Sequence, residues 1–156
     1  MRRWAFTSFE GDGNGFKLGG GDEADIGAAN HVLTNCIAFG NAHDGFTDNS
    51  QPGNFELSRN TAWNNSAIGF RFGTAAATLS ENVAASNGEE AQSLDGEQTS
   101  SGNSWDGDGV WNDESFVSVD VELVKGERNA DGLIEASDFL VPADGESIGA
   151  TTDWSV

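Results

Sequence analysis

The chain has 156 residues, which allows one domain of ordinary size or part of a larger one. Its 26 acidic residues outnumber 7 basic ones, and the formal net charge of −19 argues against nucleic acid or an anionic membrane as main partner, because binding there needs Lys and Arg to replace counterions. No apolar run approaches the roughly 18 residues of a membrane-spanning helix. The single cysteine excludes an intramolecular disulfide and a Cys-rich zinc site.

The acidic residues are spread along the whole chain, while Lys17 and Lys125 are its lysines. Such a charge on so small a body is self-repelling unless salt screens it, and at about 1 M salt the Debye length is only about 3 Å. Few lysines and many carboxylates are typical of proteins from extreme halophiles. The composition therefore predicts a salt-rich habitat.

The first informative segment is residues 13–20, which read GNGFKLGG. Glycines lie on both sides of one lysine, Lys17, and glycine allows tight turns and close approach of a ligand. The segment matches neither a phosphate-binding P-loop nor a dinucleotide fingerprint. It predicts an accessible lysine on a sheet face.

A repeat follows. Residues 33–46 align without gaps to residues 57–70 at an offset of 24, a third copy begins 22 residues later at Leu79, and a weaker fourth lies 21 residues further on. A period of this length indicates a solenoid. No periodicity of 3.6 is sustained, and leucine-rich repeats need more Leu, so short strands separated by Asn and Gly turns favour an all-β, parallel β-helix.

Two columns follow from stacking the repeats. Cys36, Asn60, Asn82 and Asn103 align as an inward turn position where Asn side chains bond along the axis, and Cys36 is expected to be a buried, unreactive thiol there. Trp63 aligns with Phe39 and Phe6 and is expected in a core rather than as a sugar platform.

The second column points outward. In Phe16-Lys17-Leu18 and Phe70-Arg71-Phe72 the flanking residues alternate with the middle one, and Thr47 has the same register. Lys17 and Arg71 would then lie two rungs, or about 10 Å, apart. Two bases in one column of an acidic protein predict a groove for an elongated anion.

Several further residues are candidates for weaker reasons. His43 lies in a turn one rung from the Lys17 turn and is a candidate substrate contact. His31, at a strand start, is expected to be structural.

Two later segments allow further predictions. Residues 88–102 are polar and predict a loop between coils. Residues 127–138 partly fit an EF-hand calcium loop, although they end in Asp where the EF-hand has a bidentate Glu. That alternative stays open.

Taken together, residues 14–20 (NGFKLGG), His31, residues 35–36, 38–41 and 45–46, Asn49, and residues 52–53 and 60–62 resemble the pectate lyases of polysaccharide lyase family 9. The resemblance covers residues 4–105 well and the tail more loosely. It implies a right-handed parallel β-helix with about four to five coils. We expect the coils over residues 1–117 and an exit or capping segment over residues 118–156.

The resemblance also implies a function. Lys17 matches the family's catalytic base for β-elimination of polygalacturonate, with Arg71 as a carboxylate contact and Thr47, His43, Asp48 and Asn49 as further substrate contacts. The family uses calcium, but its aspartate ligands precede the lysine motif by more residues than this chain offers, so no metal ligand is assigned. The chain is expected to be the C-terminal part of a longer, secreted, monomeric lyase, truncated at its N-terminal end, and whether it is active alone stays open. The rival is a non-catalytic β-helix that binds acidic polysaccharide or serves as a scaffold.

Overall fold

Short parallel strands form the repeating coils of the structure, a computed structural model that describes residues 11–20 and 26–153. The first sheet contains β1 (Phe16–Lys17), β4 (Phe46–Thr47), β7 (Phe70–Phe72) and β10 (Gln92–Leu94). The second contains β2 (Ala29–Thr34), β5 (Gly53–Ser58), β8 (Ala76–Ser80) and β11 (Gln98–Ser101), and the third contains β3 (Ile37–Phe39), β6 (Thr61–Trp63) and β9 (Val83–Ala85). Every named pair is parallel, so the predicted β-solenoid is confirmed. The sheets of four, four and three strands make about three turns in the described residues, fewer than the four to five coils expected.

Each coil bends at two corners that use left-handed backbone. The corner between the second and third sheets is formed by Asn35, Arg59, Glu81 and Gly102, with φ of 56, 53, 54 and 64°. The corner after the third sheet is formed by Gly40, Asn64 and Ser86, with φ of 61, 52 and 51°. Asparagine and glycine tolerate this region best, whereas the other residue types carry some strain there. The residue after each corner needs a hydrogen-bond acceptor for its backbone N–H, because no strand supplies one.

Side chains of asparagine supply that acceptor at the first corner. The backbone N–H groups of Cys36 and Asn60 donate to the Oδ1 atoms of Asn60 and Asn82, each at 2.9 Å. Asn82 in turn donates its N–H to Asn103 Oδ1 at 2.9 Å. The Asn60, Asn82 and Asn103 side chains are buried, so the predicted asparagine column is confirmed. We call it the first ladder.

A second ladder, which sequence reasoning missed, runs along the other corner. Asn41 and Asn65 donate their backbone N–H groups to Asn65 Oδ1 at 3.2 Å and Asn87 Oδ1 at 3.1 Å. The Asn65 and Asn87 side-chain amides donate to carbonyls of the preceding coil, at Ala38 and Ala62. The two ladders fix successive coils in one register.

The interior beneath the first sheet is a stack of aromatic rings. Phe16, Phe46 and Phe70 lie with ring centroids 4.8 Å apart and interplanar angles of 10° and 7°. Phe46, Phe70 and Phe72 are fully buried while Arg71 is half-buried, as the predicted alternation requires. This stack is the rigid floor of the outward column.

A second core lies outside the third sheet. The residues of that sheet that face the coil interior are small, and the larger Phe39 and Trp63 pack instead against Phe139 of the tail, at 5.3 and 5.9 Å. The prediction that Trp63 packs in a core with Phe39 is confirmed, and Phe6 lies outside the described residues. Part of the tail, including Phe116, Phe139 and Leu140, therefore covers the outside of the third sheet.

The tail contains little regular structure. The described residues include two short 3-10 helices, Asp113–Ser115 and Val121–Val124. No helix in the described part of the chain has the length and apolarity needed to cross a membrane. The division of the chain at residue 117 stays a prediction.

One expectation is wrong. Residues 88–102 are not simply a loop, because they contain β10 and β11, which pair with β7 and β8. The parallel strands of the preceding coil present unpaired backbone groups, and these define the next rung even though Leu94 is the only apolar residue in β10 and β11. The polar residues fit there because the last rung has no further coil stacked on it.

Candidate active site

The outer face of the first sheet carries the predicted column. Lys17 pairs in register with Thr47, Thr47 with Arg71, and Arg71 with Ser93. These four residues are called the outward column from here on. Parallel strands are about 4.8 Å apart, so Lys17 and Arg71 are separated by about 10 Å along the axis.

Lys17 is accessible but has a partner. Its side chain is 47% exposed, and Nζ lies 2.8 Å from Asp12 Oδ2. The hydrogen bond and the charge of Lys17 lower the pKa of the Asp12 carboxyl. The ion pair orients the amine across the glycine-rich segment that precedes the strand.

The glycine before the lysine strand has a packing role as well. A Cβ atom on Gly15 would lie 2.6 Å from the carbonyl oxygen of Gly45, and one on Gly45 would lie 2.6 Å from that of Gly69. The coils therefore approach too closely here for any side chain. Part of the glycine pattern that sequence reasoning attributed to ligand access is explained by this contact between coils.

Arg71, two rungs away, is held by a buried acid. Its Nε and Nη2 atoms donate to Asp44 Oδ2 at 2.7 Å and Oδ1 at 3.3 Å, and the Asp44 side chain is only 3% exposed. The hydrogen bond to Asp44 raises the pKa of Arg71. Nη1 has no hydrogen-bond partner among the described residues, so this atom can bind an anion.

The three candidates between these bases are tied into the fold. Thr47 is buried and its hydroxyl accepts from the N–H of Asn49 at 3.1 Å, while Asn49 Nδ2 donates to the Gly19 carbonyl at 3.0 Å. Asp48 is buried, and its Oδ2 accepts from three consecutive backbone N–H groups, residues 73–75, at 2.9, 2.7 and 3.0 Å. These bonds favour structural roles, and substrate contacts by Thr47, Asp48 and Asn49 stay predictions.

The two histidines differ in environment. His43 is exposed, with Nδ1 3.1 Å from Asn14 Oδ1 and 3.2 Å from Asp44 Oδ2, so it lies between the lysine segment and the acid that holds Arg71. His31 packs its ring against Phe55 at 4.8 Å, which supports the structural role expected for it.

Sequence reasoning missed Asp12 and Asp44. Asp12 is five residues before Lys17, and an acid so close to a lone lysine was the available signal. No comparable signal marks Asp44, because the residues that the strand register places beside it, Asn14 and Ile68, carry no charge.

The described residues offer no metal centre. Across residues 11–20 and 26–153, no three His, Cys, Asp or Glu side chains converge in a way that could hold a metal ion. In the segment that resembles a calcium loop, Asn129 Oδ1 instead accepts from the N–H groups of Asp131 and Leu133. Cys36, expected to be buried, is only partly buried, and this partial burial raises the pKa of its thiol. Its lack of reactivity stays a prediction.

A large cavity lies away from the outward column. It is open to solvent, has a volume of about 770 Å³ and is lined by residues 102–104, 106–107, 109–111, 114–115, 143–144, 146 and 148, four of which are acidic. Acidic walls are unsuited to a polyanion, so the outward column is the better candidate site.

Comparison with known proteins agrees with this geometry. A family model described as "Pel9A-like, right handed beta helix region" matches residues 1–87. The chain is 75% identical over 155 residues to pectate lyase PEL9 of Emericella nidulans, covering 99% of this chain and 38% of that protein. It is 33% identical to pectate lyase L of Dickeya chrysanthemi, covering 97% of this chain and 35% of that protein.

A solved structure gives the same result. The crystal structure of pectate lyase Pel9A superposes with a TM-score of 0.78 at 28% identity, over 94% of this chain and 36% of that one. The chain thus spans little more than a third of the length of these relatives. The family model matches more than half of the chain, and the near-complete match to PEL9 supports it. The chain therefore belongs to the Pel9A-like right-handed β-helix family, which is the family that the sequence motifs resemble.

Proposed function

We propose that this chain carries the general base of a lyase that cleaves polygalacturonate by β-elimination. The observation that carries the proposal is the place of Lys17, a half-exposed amine on the outer face of a rigid parallel sheet, in line with Arg71. The relatives are named pectate lyases, which supports the same substrate class.

The chemistry needs a base and a way to hold the polymer. The free amine of Lys17 takes the proton from the carbon next to the uronate carboxylate, and the electron pair forms a carbon–carbon double bond as the bond to the 4-linked oxygen breaks. The leaving oxygen then takes a proton. Arg71 Nη1 binds a carboxylate elsewhere on the chain, and charge-assisted hydrogen bonds of this kind are the stronger ones.

Lys17 and Arg71 also reduce the electrostatic repulsion between this acidic protein and an acidic polymer. A protein of net charge −19 repels a polyanion over most of its surface. Lys17 and Arg71 place two cationic groups in one column, each paired with one acid, Asp12 or Asp44. That column provides a path along which a sugar chain can lie parallel to the solenoid axis.

The described residues do not provide a site for calcium, which the family resemblance implies. Among them, no three acidic or histidine side chains converge in a way that could hold a metal ion. We infer that any calcium requirement arises from residues outside the described ranges. An extracellular location belongs to the same proposal, because a polymeric substrate of this kind does not cross a membrane.

The test compares the two lysines. Lys17→Ala is expected to lower formation of the unsaturated product, followed by its ultraviolet absorbance, by about 10²-fold or more, since general bases contribute that much. Lys125→Ala is the matched control, because Lys125 is exposed and forms an ion pair with Glu122, away from the outward column. Circular dichroism should be unchanged in both.

Turnover by Lys17→Ala at the wild-type rate would refute the assignment of the base. If the wild-type protein, with calcium supplied, binds polygalacturonate but forms no unsaturated product, the non-catalytic binding alternative is favoured.

A further inference from the structure

The carboxylate of Asp44 is buried beside the outward column and accepts several hydrogen bonds. Its side chain is 3% exposed, and its Oδ1 accepts the backbone N–H of Ile68 at 3.0 Å. Both oxygens also accept from Arg71, and His43 Nδ1 lies 3.2 Å from Oδ2. Burial of a carboxylate costs free energy, and these donors compensate that cost by holding the carboxylate in one geometry.

Asp44 binds Arg71 in a bidentate way. The contact uses Nε and Nη2 of Arg71 and leaves Nη1 without a partner among the described residues. A second acid competes for the same guanidinium, since Glu89 lies 3.9 Å from Nη2 and is exposed. Without the buried acid, Arg71 would have many rotamers available and an exposed carboxylate to pair with.

The same corner is joined to the lysine strand. Asn14, three residues before Lys17, accepts the backbone N–H of Asp44 through Oδ1 at 3.0 Å and contacts His43 through the same atom at 3.1 Å. The corner at Asp44 thus connects the strand that bears the base to the residue that bears the guanidinium. Movement of this corner would alter the spacing between them.

We propose that Asp44 is a positioning residue that fixes Arg71 so that Nη1 binds a uronate carboxylate two rungs from Lys17. This rests on the proposed function, because it assigns Arg71 to the same substrate. Asp44 itself is too buried to touch a sugar chain, so it acts through Arg71. A prearranged guanidinium loses less side-chain freedom when the polymer binds.

The test begins with Asp44→Asn. The amide can still accept from the Ile68 N–H, but it presents hydrogen-bond donors to Arg71. We expect KM for polygalacturonate to rise about tenfold, the scale of the freedom lost when a long side chain has to be ordered on binding, with kcat changed less than about twofold because the interaction is not specific to the transition state. Glu89→Gln, which neutralises the exposed acid on the same guanidinium, is the matched control and should not raise KM.

A double-mutant cycle separates positioning from a general structural role. Arg71→Ala should give the same rise in KM, and adding Asp44→Asn to Arg71→Ala should cause no further rise. Additive effects of the two substitutions would overturn the proposal. An unchanged KM in Asp44→Asn would overturn it too.

Two measurements distinguish failure of the Asp44 proposal from failure of the proposed function. Affinity for polygalacturonate, measured by calorimetry, reports on Asp44 even if Lys17 is not the base, and weaker binding by Asp44→Asn supports the proposal in that case. If Asp44→Asn does not fold, Arg71→Lys replaces it, since lysine keeps the charge but cannot make both contacts to Asp44. Wild-type affinity in Arg71→Lys would show that charge alone suffices and would overturn the proposal.

Discussion

Removal of one rung of the first ladder should cost a large share of the stability. Asn82 is fully buried, and its Oδ1 accepts from the backbone N–H and the side-chain amide of Asn60. Its own amide donates to the carbonyl of Leu57 and to Asn103 Oδ1. In Asn82→Ala the backbone N–H of Asn60 loses its acceptor, whereas the Asn60 amide keeps the Leu33 carbonyl.

The magnitude follows from these bonds. A buried donor left without an acceptor costs about 1–3 kcal/mol, and loss of the bond to Leu57 adds about 0.5–1.5 kcal/mol. We therefore expect the free energy of unfolding to fall by about 2–4 kcal/mol, against a total of about 5–15 kcal/mol for most domains.

The assay is urea unfolding followed by tryptophan fluorescence. The control is Asn54→Ala, an exposed asparagine on β5, which should change the free energy of unfolding by less than about 0.5 kcal/mol. A loss in Asn82→Ala no larger than that in Asn54→Ala would show that the ladder does not stabilise the coil stack.

Two further substitutions test the packing of the coils and of the tail. Hydrogen bonds from Ser86 and Trp63 lower the pKa of Asp113, so its contribution to stability is present above its unfolded value near 3.8 and is lost as pH falls through the lower folded pKa. The melting temperature of Asp113→Asn should therefore fall less than that of the wild type on acidification below about pH 3.8, and an identical acid dependence would contradict this account. Gly45→Ala places a Cβ 2.6 Å from the Gly69 carbonyl oxygen and should cost about 1–3 kcal/mol in thermal unfolding. Gly107→Ala meets no atom within 4 Å and is the control, so equal losses would contradict the close-approach explanation.

The sequence predicted those parts of the structure that repeat in identity. The column that ends at Asn103 recurs at offsets of 24, 22 and 21 residues with nearly one residue type, and the outward column follows from alternation around Phe16 and Phe70. Because like residues stack on successive coils, such positions can be predicted from the sequence. The salt-rich habitat stays a prediction of composition alone.

The second ladder also repeats in identity, because Asn41, Asn65 and Asn87 recur at offsets of 24 and 22 residues, and this signal was overlooked. The remaining features depend on contacts between residues that differ from coil to coil. Asp44 grips Arg71 across a coil boundary, 27 residues away, and only the register of the strands reveals this. The last rung was missed because its backbone pairing, rather than its polar side chains, defines it.

The most direct test of the outward column as the substrate site is a crystal structure of the Lys17→Ala variant with an oligogalacturonate bound. We expect the sugars to lie along the first sheet, with one uronate over position 17 and another carboxylate on Arg71 Nη1. An oligosaccharide bound instead in the cavity beside Trp111, or no density along the first sheet at saturating ligand, would contradict the account.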